Sequence, residues 1–160
     1  EVTGRDGETR TQNGDFSVER TANGRTVTGD IETSNHGHID TTRSVTRENG
    51  ARNINSTATF EDGTSIARSS TASCANRVCT SSGVITGRDG GQTRWQATRT
   101  RADNGVRLQR QVTYPDGTTR IVDQVREGDG DGEGTITRTV TDRNGETTTH
   151  TGEYEIDRTP

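Results

Sequence analysis

The amino-acid sequence predicts an all-β protein of about twelve antiparallel strands in hairpin and meander order. Turn signals recur along the chain at a usual spacing of about 13 residues, which fits short strands joined by tight loops. The segments between these signals are rich in Thr, Val, Ile and Ser, which suit a pleated surface. No segment shows the period of an amphipathic helix.

The turn signals are Asn-Gly and Asp-Gly pairs, in which both residues tolerate a positive φ angle. Each pair is therefore predicted to form a two-residue type I′ hairpin turn. The pairs are Asp6-Gly7, Asn13-Gly14, Asn23-Gly24, Asn49-Gly50, Asp62-Gly63, Asp89-Gly90, Asn104-Gly105, Asp116-Gly117 and Asn144-Gly145. The sequence "NHGH" near Gly37, the loop between the two cysteines and the Gly-rich run at 128–134 are predicted to close further hairpins.

The composition leaves little material for a hydrophobic core. Hydrophobic residues make up 22% and aromatic residues 3% of the 160 residues, and the net charge is -4. An average globular domain contains roughly 45–50% apolar residues, with Gly included. We therefore expect cross-strand pairs and contacts with neighbouring subunits to hold the fold together.

The chain also repeats itself. "VTGRDGETR" at 2–10 returns as "ITGRDGGQTR" at 85–94, and "TRSVTRENG" at 42–50 resembles "TRIVDQVREGDG" at 119–130. We infer a tandem duplication of about 80 residues. Two six-stranded halves are therefore predicted, residues 1–80 and 81–160, with one continuous domain as the alternative.

Side chains alternate along a strand, so residues two positions apart share a face. One face of several predicted strands combines apolar residues with Arg, and the other carries Thr, Ser, Gln and Asp. The residues of the Arg-bearing face are Ile39, Arg43, Val45, Arg99, Leu108, Arg110, Val112, Ile136, Arg138 and Val140. We predict that this face forms contacts between halves or subunits, with Glu19, Glu32 and Asp123 as candidate partners of its arginines.

The two cysteines, Cys74 and Cys79, flank a short loop in "SCANRVCT". The strands of a hairpin face each other at such a loop, so we predict a disulfide, with two free buried thiols as the alternative. A disulfide favours secretion or a cell-surface location. The sequence contains no Met, which we interpret as a processed N-terminus from which a signal peptide has been removed.

The motif "EGDGDGEGT" at 127–135 is the strongest candidate for a ligand site. Its carboxylates Asp129, Asp131 and Glu133 alternate along the chain and precede a Gly, which resembles the first half of a calcium loop. The bidentate acid of such a loop is replaced by Val140, and no helix flanks the motif. A flexible acidic hairpin loop is therefore the favoured interpretation.

The sequence predicts no enzyme and no cofactor apart from this possible calcium ion. No Ser-His-Asp arrangement with a nucleophile elbow is present, and no phosphate-binding loop. His36 and His38 form a His-x-His pair that a transition metal could use, although a polar turn is the favoured interpretation. Net acidity and the lack of interleaved aromatic residues argue against nucleic acid, and no apolar run reaches the length of a membrane span.

Four Thr-x-Thr triplets, at 26–28, 57–59, 98–100 and 139–141, resemble the ladders of ice-binding surfaces. Exposed β-faces are rich in Thr in any case. The segment "VTYPDGTTRIV" at 112–122 resembles the hairpin repeats of bacterial surface and toxin-shell proteins. That resemblance covers one hairpin and does not identify a family.

These observations predict a secreted structural protein, the subunit of an extracellular filament, sheath or surface layer. Its partner would be further copies of itself, assembled through β-sheet contacts, because a thin core and open sheet edges need neighbours. The alternative is a monomeric extracellular β-module. Such a module would bind carbohydrate, ice or an anionic polymer through a Thr-rich or Arg-rich face.

Overall fold

A computed structural model describes residues 2–3, 9–34, 37–128 and 133–155, and they form β-strands and the loops between them. Two short strands, β1 (Val2–Thr3) and β2 (Thr9–Arg10), pair with each other. The other eleven are β3 (Gln12–Thr21), β4 (Gly24–Thr33), β5 (Gly37–Glu48), β6 (Ala51–Phe60), β7 (Ser65–Ala75), β8 (Val78–Thr86), β9 (Gln92–Ala102), β10 (Gly105–Thr113), β11 (Thr119–Gly128), β12 (Glu133–Thr141) and β13 (Thr147–Glu155). The prediction of an all-β fold is confirmed.

Strands β3 to β13 form one antiparallel meander, in which each strand lies beside its neighbour in the chain. The pairing registers are continuous, as from Gln12 opposite Thr33 to Thr21 opposite Gly24. The predicted order of hairpins is therefore confirmed. The turn predicted at Asn13-Gly14 is wrong, because both residues lie within β3, and Asp6-Gly7 lies outside the described residues. The described residues contain no helix with the length and apolarity of a membrane span.

One end of the strands carries five-residue loops, at residues 60–64, 87–91, 114–118 and 142–146. In each loop the first residue donates its N–H to the carbonyl of the fifth, and the fourth donates to the carbonyl of the first. The fourth residue is a Gly with φ between 77° and 85°. Such a loop is a type I turn closed by a glycine bulge, so the predicted type I′ turns are wrong here.

The other end of the strands carries two-residue loops, including residues 22–23 and 103–104. Asn49 and Gly50 have φ angles of 49° and 76°, as predicted for a type I′ turn. Asn104-Gly105 is displaced by one residue from its predicted position, because Gly105 begins β10. A Cβ there would collide with the carbonyl oxygen of Arg126, so only Gly allows the strands to approach.

The loops reveal a repeat shorter than the predicted duplication. The bulge glycines Gly63, Gly90, Gly117 and Gly145 follow one another at intervals of 27, 27 and 28 residues. The repeating element is thus a pair of strands, and an offset of about 80 residues corresponds to three such pairs. Division into halves at residue 80 stays a prediction. By compactness the chain divides differently, into a first unit (Glu1–Thr71 and Val84–Gln92) and a second unit (Ala72–Gly83 and Thr93–Pro160).

Within the described ranges the sheet has almost no buried core. Val45, with 8% of its surface exposed, is the one buried hydrophobic side chain, and no side chain there is fully buried. Phe16 and Val18 of the edge strand β3 are 61% and 54% exposed. Backbone ladders and side-chain pairs along the faces therefore supply the internal stabilisation, as the composition predicts.

Candidate functional site

Strands β3 to β6 of the first unit have one face that carries arginines and no acidic residue. Directly paired residues of antiparallel strands share a face, so the register assigns every side chain of β3 to β6. This first Arg face contains Arg20, Arg25, Arg43, Arg47 and Arg52, together with Phe16, Val18, Val27, Ile31, Ile39, Val45, Ile54 and Phe60. Its predicted members Ile39, Arg43 and Val45 lie together on it. The face is therefore both cationic and apolar.

The opposite face of the same four strands carries acidic residues and no arginine. This first acid face contains Asp15, Glu19, Asp30, Glu32, Asp40 and Glu48, along with His38 and many Thr, Ser and Asn residues. Three of the acids, Asp15, Asp30 and Asp40, lie directly opposite one another on adjacent strands. Like charges in that position repel, so this row destabilises the isolated sheet.

The second unit shows the same segregation. Its Arg face, on β9 to β13, contains Arg99, Arg101, Arg110, Arg120, Arg126 and Arg138 and no acid. The opposite face contains Asp123, Glu127, Glu133, Glu153 and Glu155, with Arg94 and Arg107 as its two cations. The predicted face residues Arg99, Leu108, Arg110, Val112, Ile136, Arg138 and Val140 all lie on the second Arg face. Their role in an interface stays a prediction.

The acids expected to neutralise the Arg faces lie on the opposite side of their strands, so that expectation is wrong. Asp123 accepts hydrogen bonds from Arg107, at 3.1 Å from Nε and 2.5 Å from a terminal nitrogen. These bonds lower the pKa of Asp123 and raise the pKa of Arg107. Glu32 instead contacts His38, and Glu19 lies on the first acid face. No acid of the described residues forms an ion pair with an arginine of the first Arg face.

Four arginines of the first Arg face form a cluster beside the loop at 22–23. Arg20 lies directly opposite Arg25, and Arg47 lies directly opposite Arg52. All four are exposed and line an open recess of about 470 Å³. Planar guanidinium groups bind carboxylate, sulfate and phosphate groups with two parallel hydrogen bonds, so this Arg cluster suits an anion.

An apolar recess lies on the same face, further from that loop. The ring of Phe16 lies over Gly29, where a Cβ would come within 2.5 Å of it. Phe16, Val27, Ala58 and Ile66 help to line a recess of about 380 Å³. Phe16 and Val18 were missed at the level of sequence, although the alternation in "GDFSVER" places them on one face with Arg20.

His38 is the one base on the first acid face. Its Nδ1 lies 3.0 Å from Glu32 Oε1 and 3.2 Å from Asp30 Oδ1, and its Nε2 lies 3.3 Å from Asp40 Oδ1. The hydrogen bond to Glu32 raises the pKa of His38; desolvation opposes the rise, and the charges of Asp30 and Asp40 add to it. A protonated His38 thus bridges acids of two strands.

The predicted metal sites are placed only in part. Asp129, Asp131 and His36 lie outside the described residues, and Glu133 begins β12 opposite Glu155. Among the residues that the structure describes, donor atoms of Asp30, Glu32 and His38 lie within 4.8 Å of one another. Both ring nitrogens of His38 already contact carboxylates, so the trio is accounted for as a cluster of ion pairs.

Two arginines connect neighbouring five-residue loops in the same way. Arg88 stacks on Phe60 at 4.2 Å from the ring centroid, pairs with Asp62 and donates to the hydroxyl of Thr64. Hydrogen bonds from Thr64, followed by the charge of Arg88, lower the pKa of Asp62. Arg143 makes the corresponding contacts to the loop at 114–118. These contacts are structural clamps, because each partner is satisfied within the chain.

The predicted Thr ladders occur, and the longest lies on β12 and the edge strand β13. Its hydroxyl pairs are Thr137 with Thr151 at 3.4 Å, Thr139 with Thr149 at 3.0 Å and Thr141 with Thr147 at 3.0 Å. All of them lie on the face opposite the second Arg face. The hydroxyls already bond to each other, which stabilises the edge strand.

Comparison of the chain with protein-family models, with curated proteins and with solved structures finds no match.

Proposed function

We propose that this chain is the subunit of a secreted, self-assembling structural protein, which forms an extracellular filament, sheath or surface layer. The observation that supports the proposal best is a sheet whose two faces are uncovered and oppositely charged within the first unit. A copy of the chain is the simplest partner that offers both surfaces. Association would cover apolar side chains and neutralise the arginines.

The exposed apolar residues give the association a driving force. Phe16 and Val18 lie on the first Arg face and are more than half exposed, and Ile66 is 38% exposed. Burial of apolar surface stabilises by roughly 25 cal/mol per Å². A neighbouring sheet that covers these side chains would therefore supply what the isolated chain lacks in core.

The two edge strands offer a second kind of contact. In the described sheet, β3 and β13 each have a neighbour on one side only. An unpaired strand edge can accept a strand of another chain. Sheet edges would thus add to the contacts that the faces make.

The disulfide supports an oxidising location. Cys74 and Cys79 are bonded, with their Cα atoms 4.0 Å apart, and the chain has no further cysteine. Such bonds persist mainly outside the cytosol. A secreted or cell-surface protein is consistent with this bond and with a hydrophilic sheet that lacks a large core.

The proposal is tested by the association state of the purified chain. Sedimentation velocity at near-neutral pH and low salt should show species larger than a dimer, and electron microscopy should show regular fibres or sheets. A single monomer boundary at high protein concentration, with no particles on the grids, would overturn the proposal.

A second candidate function is the binding of an acidic polysaccharide. The Arg cluster favours it, because four exposed guanidinium groups surround one recess. A sulfated polysaccharide should bind the chain at low salt and be released as salt rises. Arg25→Gln with Arg47→Gln should abolish this binding, whereas Arg101→Gln with Arg126→Gln in the second unit should retain it. Equal loss in both variants would mean that only overall charge matters.

A further inference from the structure

The geometry points to front-to-back stacking as the way in which copies of this chain associate, with the first Arg face of one copy against the first acid face of the next. This inference rests on the proposed self-assembly and specifies the interface between copies. A second copy of the chain occupies the first Arg face.

Charge complementarity is complete within strands β3 to β6. One face carries five arginines and no acid, and the other carries six acids and no arginine. Contact between two Arg faces, or between two acid faces, would place like charges together and be repulsive. Contact between an Arg face and an acid face would neutralise both. It would also relieve the repulsion within the row of Asp15, Asp30 and Asp40.

The distances permit these contacts. Stacked sheets pack about 10 Å apart. Long arginine side chains that stand on one sheet reach across such a gap, while their stems cover apolar surface. Phe16 and Val18 would be covered by the Thr and Ser residues of the facing sheet.

Most of the charges also lie at opposite ends of the strands: four of the five arginines at one end and four of the six acids at the other, with Glu19 and Glu48 at the arginine end. Arg20, Arg25, Arg47 and Arg52 lie near the two-residue loops, whereas Asp30 and Asp40 lie towards the other ends of β4 and β5. Successive copies would therefore be related by half a turn about the axis perpendicular to the sheet, which brings each Arg cluster over the acidic end of its neighbour. Each copy keeps one free face of each sign, so the stack is open-ended, as in a filament.

Two charge-reversal variants test the interface between copies. The Arg-face variant is Arg25→Glu with Arg47→Glu, and the acid-face variant is Asp15→Arg with Asp40→Arg. In both, every new charge lies directly opposite a remaining residue of the other sign: Arg20 and Arg52, or Asp30. Folding is therefore favoured, and circular dichroism with thermal unfolding checks it.

The association of each variant is measured by sedimentation velocity at low salt. Each variant alone should associate at least about tenfold more weakly than the unsubstituted chain, since one of its faces has lost most of its charge. An equimolar mixture should regain association, because one variant retains an intact acid face and the other an intact Arg face. The mixture should stop at one-to-one pairs. Arg25→Lys with Arg47→Lys preserves the charge and should still form long assemblies.

The outcomes distinguish a failure of front-to-back stacking from a failure of the proposed self-assembly. If the unsubstituted chain is monomeric, self-assembly itself is overturned. If it assembles and both variants assemble equally well, the chains join by another surface, such as their edges, and front-to-back stacking is overturned while self-assembly stands. A mixture that associates no better than its components would also overturn the stacking.

Discussion

The guanidinium group of Arg143 stacks on the ring of Tyr114, with 4.2 Å between its Cζ and the ring centroid. The same guanidinium pairs with Asp116 and donates from Nε to the hydroxyl of Thr118, at 3.0 Å. Arg88 makes the same set of contacts two strand pairs earlier in the chain, with Phe60 in the place of Tyr114. Because almost no side chain of the described residues is buried, such contacts supply part of the stabilisation that a hydrophobic core supplies in other folds.

The ring under Arg143 can be tested by substitution. Tyr114→Leu retains an apolar side chain but removes the π face, so the free energy of unfolding should fall by about 0.5–1 kcal/mol. Chemical denaturation monitored by circular dichroism measures the change. Tyr114→Phe preserves the face of the ring and should be close to neutral. An equal loss in both variants would show that the hydroxyl, and not the stack, stabilises the loop.

A pair of glycines in the last two strands should respond in opposite ways to the same change. A Cβ at Gly134 would collide with Glu127 O and with the ring of Tyr154, whereas a Cβ at Gly152 would meet nothing within 4 Å. Gly134→Ala should therefore destabilise the sheet by about 1–3 kcal/mol. Gly152→Ala should be neutral or slightly stabilising, since Ala loses less backbone entropy on folding. Thermal unfolding of the two variants decides between a local clash and a general effect of substitution.

The strand order could be predicted from sequence because turn residues interrupt Thr-rich and Val-rich segments at regular spacing. The loop types could not, because Asp-Gly serves both a type I′ turn and a type I turn with a glycine bulge. Gly63 has a positive φ but Asp62 does not. Similar sequence segments also indicated a tandem duplication of about 80 residues. The structural repeat is instead a pair of strands, and it is recognised by the geometry of the loops more than by the identity of the residues.

The charge segregation could be read from the alternation of residues, but only the register shows that it continues across strands. In "RTVTGDIET" at 25–33, Arg25 and Asp30 differ by an odd number of positions and so lie on opposite faces. The need of a buried Arg for a partner suggested instead that acids such as Glu32 neutralise the Arg face. The pairing of Glu32 with His38 depends on the register between β4 and β5, which the turn residues alone do not determine.

Stability should depend on pH through His38. Its pKa in the folded chain is raised above 6.5, first by the hydrogen bond to Glu32. A raised pKa means that the folded state binds the proton more tightly, so this stabilisation is fully present below about pH 6.5 and is lost as pH rises through the folded value. Unfolding by urea should show higher stability at pH 6 than at pH 8.

The substitution His38→Gln should reduce that difference between the two pH values, because the titrating group is gone. His150→Gln, on the second Arg face, is the matched control for the loss of a histidine. A pH dependence that survives His38→Gln unchanged would assign it to other groups.

The disulfide should stabilise its hairpin to a modest degree. Cys74 and Cys79 are five positions apart, so the bond closes a short loop and restricts the unfolded chain little. Cys74→Ser with Cys79→Ser should lower the free energy of unfolding by about 2 kcal/mol. Addition of a reductant should lower the stability of the unsubstituted chain by a similar amount and leave the double variant unaffected. A larger loss would mean that the bond also maintains native contacts beyond the hairpin.

The same hairpin contains a residue in a strained conformation. Arg77 has a φ of 65°, in the left-handed region that favours Gly, and the side chain forms an exposed ion pair with Asp103. Arg77→Gly should relieve about 1 kcal/mol of backbone strain. Loss of an ion pair with side chains 66% and 91% exposed should offset only part of that gain. Asp103→Asn removes the pair and keeps the strain, so it should be neutral or slightly destabilising in the same denaturation experiment. If Arg77→Gly destabilises the chain more than Asp103→Asn does, then the side chain of Arg77 makes a contribution that outweighs its strain.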